Sequence, residues 1–123
     1  MLTVLFYLGF SSLIAHEMDA IAHKEWQLLY LFRKLPENAA FTLFITAHVP
    51  LLAALMWLTH HRSILLQAST RSLLMLFLVI HAILHKRLEQ HSKYTFHTSL
   101  SKSLIYGSGI AGLLYCVLHL IAR

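Results

Sequence analysis

Residues 2–26, LTVLFYLGFSSLIAHEMDAIAHKEW, join an apolar run to the most polar part of the chain. Residues 2–15 carry no charge, whereas residues 16–26 hold three of the five acidic residues and two of the ten histidines. Extended to residue 22, the run reaches a length typical of a membrane-spanning helix, and ionisable side chains near its end are tolerated where they face other helices. The stretch therefore predicts a membrane helix bundle with a polar site between its helices.

The composition of the whole chain favours the same interpretation. Hydrophobic residues make up 58% of the 123 residues and charged residues 12%, with a mean hydropathy of +0.65. A soluble domain of this length exposes too much surface to carry so few charges. The net charge of +5 comes from basic residues scattered between apolar runs, which argues against a nucleic-acid partner. The single cysteine, Cys116, excludes a disulfide framework and a cysteine-based metal site.

The apolar residues fall into four segments, each close to the ~20 residues that cross a hydrocarbon core of about 30 Å. The segments are residues 2–22, 39–58, 69–85 and 100–122. Because 123 residues are too few for two cores, we predict a single transmembrane domain over residues 1–123. The predicted fold class is all-α, an integral membrane four-helix bundle.

The distribution of lysine and arginine predicts the orientation of this bundle. The side with the first and third connections carries seven of these residues: Lys24, Arg33, Lys34, Lys86, Arg87, Lys93 and Lys102. The opposite side carries three: Arg62, Arg71 and Arg123. Since positively charged connections remain in the cytoplasm, we expect both termini to lie outside.

Polar residues that are far apart in the sequence reach a similar depth in this bundle. At about 1.5 Å of rise per residue, the ends of the first and third segments lie in the cytoplasmic half, and His48 lies near the midplane. His81 and His85 have the i, i+4 spacing that brings two imidazoles to one point, and four-helix bundles hold metals between facing helices. We predict metal ligands at seven positions: His16, Asp19, His23, His48, His81, His85 and His97. Without a thiolate, this set suits a divalent metal, either zinc, iron or manganese.

The first helix presents His16, Asp19 and His23 on one face, at i, i+3 and i+7. Glu17 and Glu25 fall beside that face. We assign Glu17 as the general base, because it adjoins a ligand and is not needed as one. Glu25 is expected to pair with a neighbouring lysine or to face the surface.

The connection over residues 24–38 mixes charged and large apolar residues. It is predicted to continue the first helix past the membrane surface or to lie along that surface. In either case Trp26 and Tyr30 would lie at headgroup depth, where aromatic side chains are enriched.

The fourth segment contains GSGIAG at residues 107–112, which matches the dinucleotide-binding pattern G-x-G-x-x-G. No strand precedes it and it lies in an apolar segment, so we interpret it as a site of close helix packing. Ser103, Gly107 and Ala111 form one stripe of small residues, and Ser108 and Gly112 form another. An oligomer through this face is one expected partner interaction.

Five short motifs carry a resemblance to a known family: HEMDA at 16–20, HKEW at 23–26, HVPL at 48–51, HAILH at 81–85 and HSKYTF at 91–96. With these motifs the chain resembles an uncharacterised family of small four-span bacterial integral membrane proteins with a His-Glu-[Leu/Met]-Asp-Ala motif. The resemblance implies a multi-pass protein of the bacterial inner (plasma) membrane and implies no activity.

A looser similarity links the chain to the histidine-box membrane desaturases and hydroxylases. The HAILH motif at 81–85 resembles their H-x-x-x-H box, while the chain lacks an H-x-x-H-H box and is much shorter. This similarity implies a metal centre near the cytoplasmic side of the membrane.

The function predicted from these residues is that of a metal-dependent membrane enzyme, an oxidoreductase or a hydrolase. Its metal would activate water or oxygen on a lipidic or hydrophobic substrate, with membrane lipids as its other partners. Three alternatives remain open: a b-type haem electron carrier, a transporter of protons or divalent metals, and a structural membrane subunit. The apolar outer halves of the first and third segments disfavour the transporter, because a path would need polar residues on both sides of the site.

Overall fold

The computed structural model describes residues 1–32 and 34–122; Arg33 and Arg123, both counted for the orientation, lie outside the described residues. This part of the chain contains four long helices and no strand. The helices are α1 (Leu2–Ala22), α2 (Glu37–Thr59), α3 (Ile64–Leu88) and α4 (Ser99–Ile121). Each is long and apolar enough to cross a membrane, so the all-α membrane bundle is confirmed.

The helix starts follow ordinary capping chemistry. Pro36 precedes α2, where a fixed φ and a missing N–H do no harm. Ser63 caps α3 by accepting a hydrogen bond from the backbone N–H of Leu66 at 3.4 Å. Thr98 caps α4 through the N–H of Ser101 at 3.0 Å. Because of its cap, α3 begins before the apolar segment at residue 69 that hydropathy predicted.

The bundle is built around α4, which packs along both α1 and α3, whereas α2 lies beside α3 with fewer contacts. In the half of the bundle that contains the α2–α3 connection, Thr59 is buried and Arg71 lies over the Phe6 ring, beside an otherwise mainly apolar cluster. Its buried members are Phe6, Phe10, Leu13, Leu74, Met75, Leu78 and Tyr115. The polar residues described below lie toward the other end of the bundle, where α1 and α3 finish.

The contact between α3 and α4 depends on two glycines. A Cβ atom on Gly109 would lie 2.6 Å from the Cβ of Ala82, and one on Gly112 would collide with the carbonyl oxygen of Met75. Only glycine allows this approach of two backbones. By contrast, a Cβ on Gly107 would meet nothing within 4 Å. The GSGIAG stretch thus serves helix packing within the chain.

The connection after α1 differs from its prediction. Instead of continuing as a helix, the chain turns at Lys24, whose φ of 52° is left-handed. Two short 3₁₀ turns follow, at Glu25–Gln27 and Tyr30–Phe32. Trp26 is buried at 4% exposure inside the bundle, so its ring contacts protein and not lipid, while Tyr30 is 76% exposed. Trp26 and Leu28 are buried because they close the end of the bundle, whereas Leu29 and Leu31 are exposed.

Candidate metal centre

Four side chains from three parts of the chain meet in one group at the end of the bundle. They are His16 of α1, Glu25 of the turn after α1, and His81 and His85 of α3. One ligand atom from each lies within 4.8 Å of the others. The ring centroid of His16 is 4.9 Å from that of His81 and 5.0 Å from that of His85. This group could hold a metal ion.

Glu25 lies at the centre of the group. Its Oε1 is 3.4 Å from Nε2 of His85 and 3.7 Å from Nε2 of His81. Its Oε2 is 3.5 Å from Nε2 of His16. In tetrahedral coordination with bonds of about 2.1 Å, ligand atoms lie ~3.4 Å apart. The distances from the Glu25 oxygens to the three histidines are close to this value, and the group as a whole, within 4.8 Å, would have to contract around a single ion.

The polar atoms of this group are incompletely paired. His16 is 1% exposed, and neither of its ring nitrogens has a hydrogen-bond partner among the described residues. The same holds for Oε2 of Glu25. Buried polar atoms without partners are costly, by about 1–3 kcal/mol each, so native structures seldom leave them unsatisfied. A metal ion would satisfy Oε2 of Glu25 and one of the two ring nitrogens of His16.

The turn at Lys24 explains how Glu25 reaches this position. Nine residues, about 2.5 helical turns, separate Glu25 from His16, so a continuous helix would direct the two side chains to opposite faces. Because α1 ends at Ala22 and Lys24 is left-handed, the chain reverses and Glu25 points back into the bundle. The expectation that Glu25 pairs with a lysine or faces the surface was wrong, since its side chain is only 12% exposed.

Electrostatics keep the Glu25 carboxylate ionised. Burial by itself would raise its pKa, but hydrogen bonding to the His81 and His85 rings outweighs burial and holds the pKa below its usual range. The adjacent Tyr94 hydroxyl lies 3.2 Å from Nδ1 of His85. Burial raises the pKa of Tyr94, so this hydroxyl stays neutral. An oxygen on the second ring nitrogen is the usual device that orients a metal-binding histidine.

Asp19 and His23, two further predicted ligands, form a separate polar cluster. Nε2 of His23 is 3.5 Å from Oδ1 of Asp19. Its Nδ1 is 2.9 Å from the hydroxyl of Thr95, and Nε2 is also 3.3 Å from that of Ser101. The fully buried Phe96 ring contacts both His23 and the His16 group, at centroid distances of 4.7 and 5.5 Å. It therefore lies between the two clusters.

His48 and His97 are also placed away from the group of four. Nδ1 of His48 is 2.6 Å from the Phe44 carbonyl oxygen, and its Nε2 is 2.9 Å from Oε2 of Glu17. His97 lies on the exposed surface, with Nε2 at 3.1 Å from the Tyr94 carbonyl oxygen. Of the seven predicted ligands, the structure thus brings together His16, His81 and His85.

The Glu17–His48 pair lies beside the group of four and lines the same cavity. This cavity has a volume of about 370 Å³ and is also lined by Glu25, His81 and His85. The two side chains of the pair are each 23% exposed. The predicted general base is therefore positioned where a molecule next to the histidines would meet it.

Three residues that shape the site were not predicted from the sequence: Glu25, Tyr94 and Phe96. The sequence predicts another role for Glu25, whereas Tyr94 and Phe96 belong to the HSKYTF motif, to which it assigns no role in the site. The alternation of large aromatic residues with polar ones in HSKYTF was the available signal, because exposed loops seldom need two buried aromatic rings.

Comparison with known proteins shows which family the chain belongs to. Neither a curated protein nor a solved structure shows significant similarity to the chain. The similarity to desaturases and hydroxylases therefore has no named homologue to support it. A family of unknown function, DUF6713, matches residues 2–122. This match covers almost the whole chain, and the protein belongs to the DUF6713 family.

Proposed function

We propose that this protein is a metal-dependent membrane enzyme whose single divalent ion is held by His16, Glu25, His81 and His85. The ion would act on a hydrophobic substrate that reaches it from the bilayer. The observation that carries the proposal is the convergence of three imidazoles and one carboxylate within 4.8 Å, with ligand atoms of His16 and Glu25 that lack hydrogen-bond partners.

The donor set narrows the choice of metal. Three nitrogen donors and one oxygen donor, without thiolate, favour zinc or iron; manganese fits less well because it prefers oxygen ligands. Catalytic zinc sites use histidine and glutamate ligands and expand to five-coordination when a further oxygen binds. Such an ion supplies Lewis acidity, or a bound water of lowered pKa, to the reaction.

Glu17 is the proposed proton-transferring group. Its carboxylate lies 2.9 Å from Nε2 of His48, and the pair faces the cavity that Glu25, His81 and His85 also line. A general base must lie within hydrogen-bond reach of its proton in the bound substrate, and a molecule in this cavity would adjoin both the base and the metal ligands. The partner histidine can accept or return the proton.

Two of the alternatives are less compatible with the geometry. The imidazole of His16 contacts those of His81 and His85, with centroids 4.9 and 5.0 Å apart, which leaves no layer for a porphyrin between them. A transport path would have to cross the apolar layer that includes Phe6, Met75 and Leu78, all buried. The first observation disfavours the haem carrier. The second disfavours the transporter, because the apolar layer closes the bundle beyond the polar site.

The distribution of basic residues supports a cytoplasmic position for this site. The cluster lies where α1 and α3 end, on the side where the two connections and the helix ends next to them hold seven of the ten lysines and arginines. We therefore propose that both termini lie outside a bacterial inner membrane and that the metal lies in the inner leaflet.

The test is metal analysis of protein purified without a histidine tag, since a tag would itself bind metal. We expect one zinc or iron per chain in the wild type, and its loss in the His81→Ala/His85→Ala and Glu25→Gln variants. The His97→Ala and His60→Ala/His61→Ala variants are matched controls that remove imidazoles outside the group and should keep the metal. Glu17→Gln should keep it too, because a base is not a ligand.

Two outcomes would overturn the proposal. One is a folded wild-type protein that neither contains a metal nor binds added zinc or iron. The other is metal that remains at full stoichiometry after both His81 and His85 are replaced. X-ray absorption at the metal edge would show three nitrogen donors and one oxygen donor if the assignment is correct.

A further inference from the structure

An apolar groove runs along α2, open to the lipid between this helix and its neighbours α1 and α3. We call it the α2 groove; it has a volume of about 480 Å³. Its walls are mainly leucine: Leu13, Leu51, Leu52, Leu55, Leu73 and Leu74. Glu17 and His48 lie at one end, and Leu58 and Thr70 lie at the end near the α2–α3 connection. The groove thus leads from one membrane surface to the polar pair.

The α2 groove adjoins the cavity beside the metal ligands. The two share Glu17, His48, Leu51 and Phe77 in their walls. A molecule that fills the groove therefore ends at the Glu17–His48 pair, next to the space lined by the histidines of α3. The pair is the part of the path where a reacting group would first meet polar side chains.

The length and the lining of the α2 groove indicate what kind of molecule it binds. From Leu58 to His48 the groove extends over ten residues of α2, roughly 15 Å, which equals one leaflet of a hydrocarbon core about 30 Å thick. Its walls are apolar over that length, and polar side chains lie only at its ends: Thr70 near the α2–α3 connection, Glu17 and His48 at the other end. This pattern fits one extended hydrocarbon chain of about the length of a leaflet.

We propose that the α2 groove holds one acyl chain of a membrane phospholipid and presents its distal carbons to the Glu17–His48 pair. This inference rests on the proposed function, for which it names the substrate class. The headgroup lies at the α2–α3 connection, where the exposed Arg62 suits a phosphate. The acyl chain enters from the leaflet on that side, so the substrate never leaves the membrane.

The test uses the full-length protein in vesicles of phosphatidylethanolamine and phosphatidylglycerol that contain a phospholipid with a photoreactive diazirine at the end of one acyl chain. After illumination, mass spectrometry maps the labelled residues. We expect labelling at Glu17, His48 and Leu51 that excess unlabelled phospholipid suppresses. A diazirine near the headgroup should instead label Leu58 and Thr70.

Two groove-filling variants and one control sharpen the test. Leu51 and Leu73 are 52% and 66% exposed, so Leu51→Trp and Leu73→Trp should fold normally while they block the α2 groove. Each should reduce groove labelling roughly tenfold, the change that ~1.4 kcal/mol of lost contact produces. Leu114→Trp, on an exposed position of α4, should leave the labelling unchanged.

The inference fails if labelling is equal on all exposed faces, if the blocking variants label as the wild type does, or if the groove crosslinks to a second polypeptide. Metal content measured on the same samples separates this failure from that of the proposed function. If the protein contains metal but labelling is uniform, only the proposal of an acyl chain in the α2 groove is refuted. If the groove is labelled but the protein contains no metal, the acyl-chain site is supported and the proposal of a metal-dependent enzyme is refuted.

Discussion

Replacing Gly112 of α4 by alanine is expected to push α3 away and thereby weaken both the fold and the metal site. The added Cβ would lie 3.2 Å from Cγ2 of Val79 and 3.3 Å from Cβ of Leu78, and closest to the Met75 carbonyl oxygen. Relaxed contacts between such atoms are about 3.5–4.0 Å. Because a backbone oxygen cannot rotate aside, α3 itself must move.

The expected change in the free energy of unfolding for Gly112→Ala is the difference between two opposing effects. Overpacking of a tight contact destabilises by about 1–3 kcal/mol, while alanine is about 1 kcal/mol better than glycine inside a helix. We expect a net destabilisation of up to about 2 kcal/mol for Gly112→Ala. Gly107→Ala is the matched control, because its Cβ meets nothing within 4 Å and only the helix-propensity gain applies.

Thermal unfolding in detergent, followed by circular dichroism, measures the stability of both variants, and chelator competition measures their metal affinity. Gly112→Ala should unfold earlier than Gly107→Ala and bind metal more weakly, because its methyl group displaces the helix that carries His81 and His85. Equal stability and equal affinity in the two variants would show that α3 and α4 do not approach as closely as the structure has them.

Three further predictions concern the site. Tyr94→Phe removes the hydroxyl next to Nδ1 of His85 and should lower metal affinity by roughly tenfold or more in chelator competition. Lys24→Gly should be more stable than Lys24→Ala by about 1 kcal/mol in denaturant unfolding, because only glycine adopts the left-handed conformation without strain; equal stability would contradict it. Bound metal, measured after dialysis against buffers of decreasing pH, should decrease, since protons compete with the ion for the imidazole nitrogens. Metal that remains at full stoichiometry in strongly acidic buffer would indicate that histidines are not the ligands.

The spans and the depth of the polar residues could be predicted from the sequence because both are properties of separate segments. Hydropathy over about twenty residues identifies a span, and helical rise converts residue number into depth. These two rules were sufficient to place His16 at the level of His81 and His85. The i, i+4 spacing on α3 then predicted that two of the rings share one face, as they do.

The carboxylate of the site could not be found in this way, because its position depends on a break in the helix. A single left-handed residue, Lys24, decides that Glu25 points inward, and no sequence rule assigns that conformation to lysine. His23 and Asp19 share the face of His16 by periodicity, yet Phe96 from a distant connection lies between them. The separation of the two clusters is therefore a tertiary effect.

The histidines of this protein provide their own comparison for the metal proposal. His48 and His23 each have a polar partner at both ring nitrogens, the first at Phe44 and Glu17, the second at Thr95 and Ser101. These two histidines, which lie outside the group of four, are thus fully paired by protein atoms alone.

His16 is the most buried of these rings, at 1% exposure, and has a hydrogen-bond partner at neither nitrogen among the described residues. Its Nε2 faces Oε2 of Glu25 at 3.5 Å without a hydrogen bond, and two other imidazoles face the same point. Coordination of one ion at Nε2 would replace the missing hydrogen bond there and neutralise the charge of Glu25. For this reason the metal proposal rests on the group of four and not on the number of histidines in the chain.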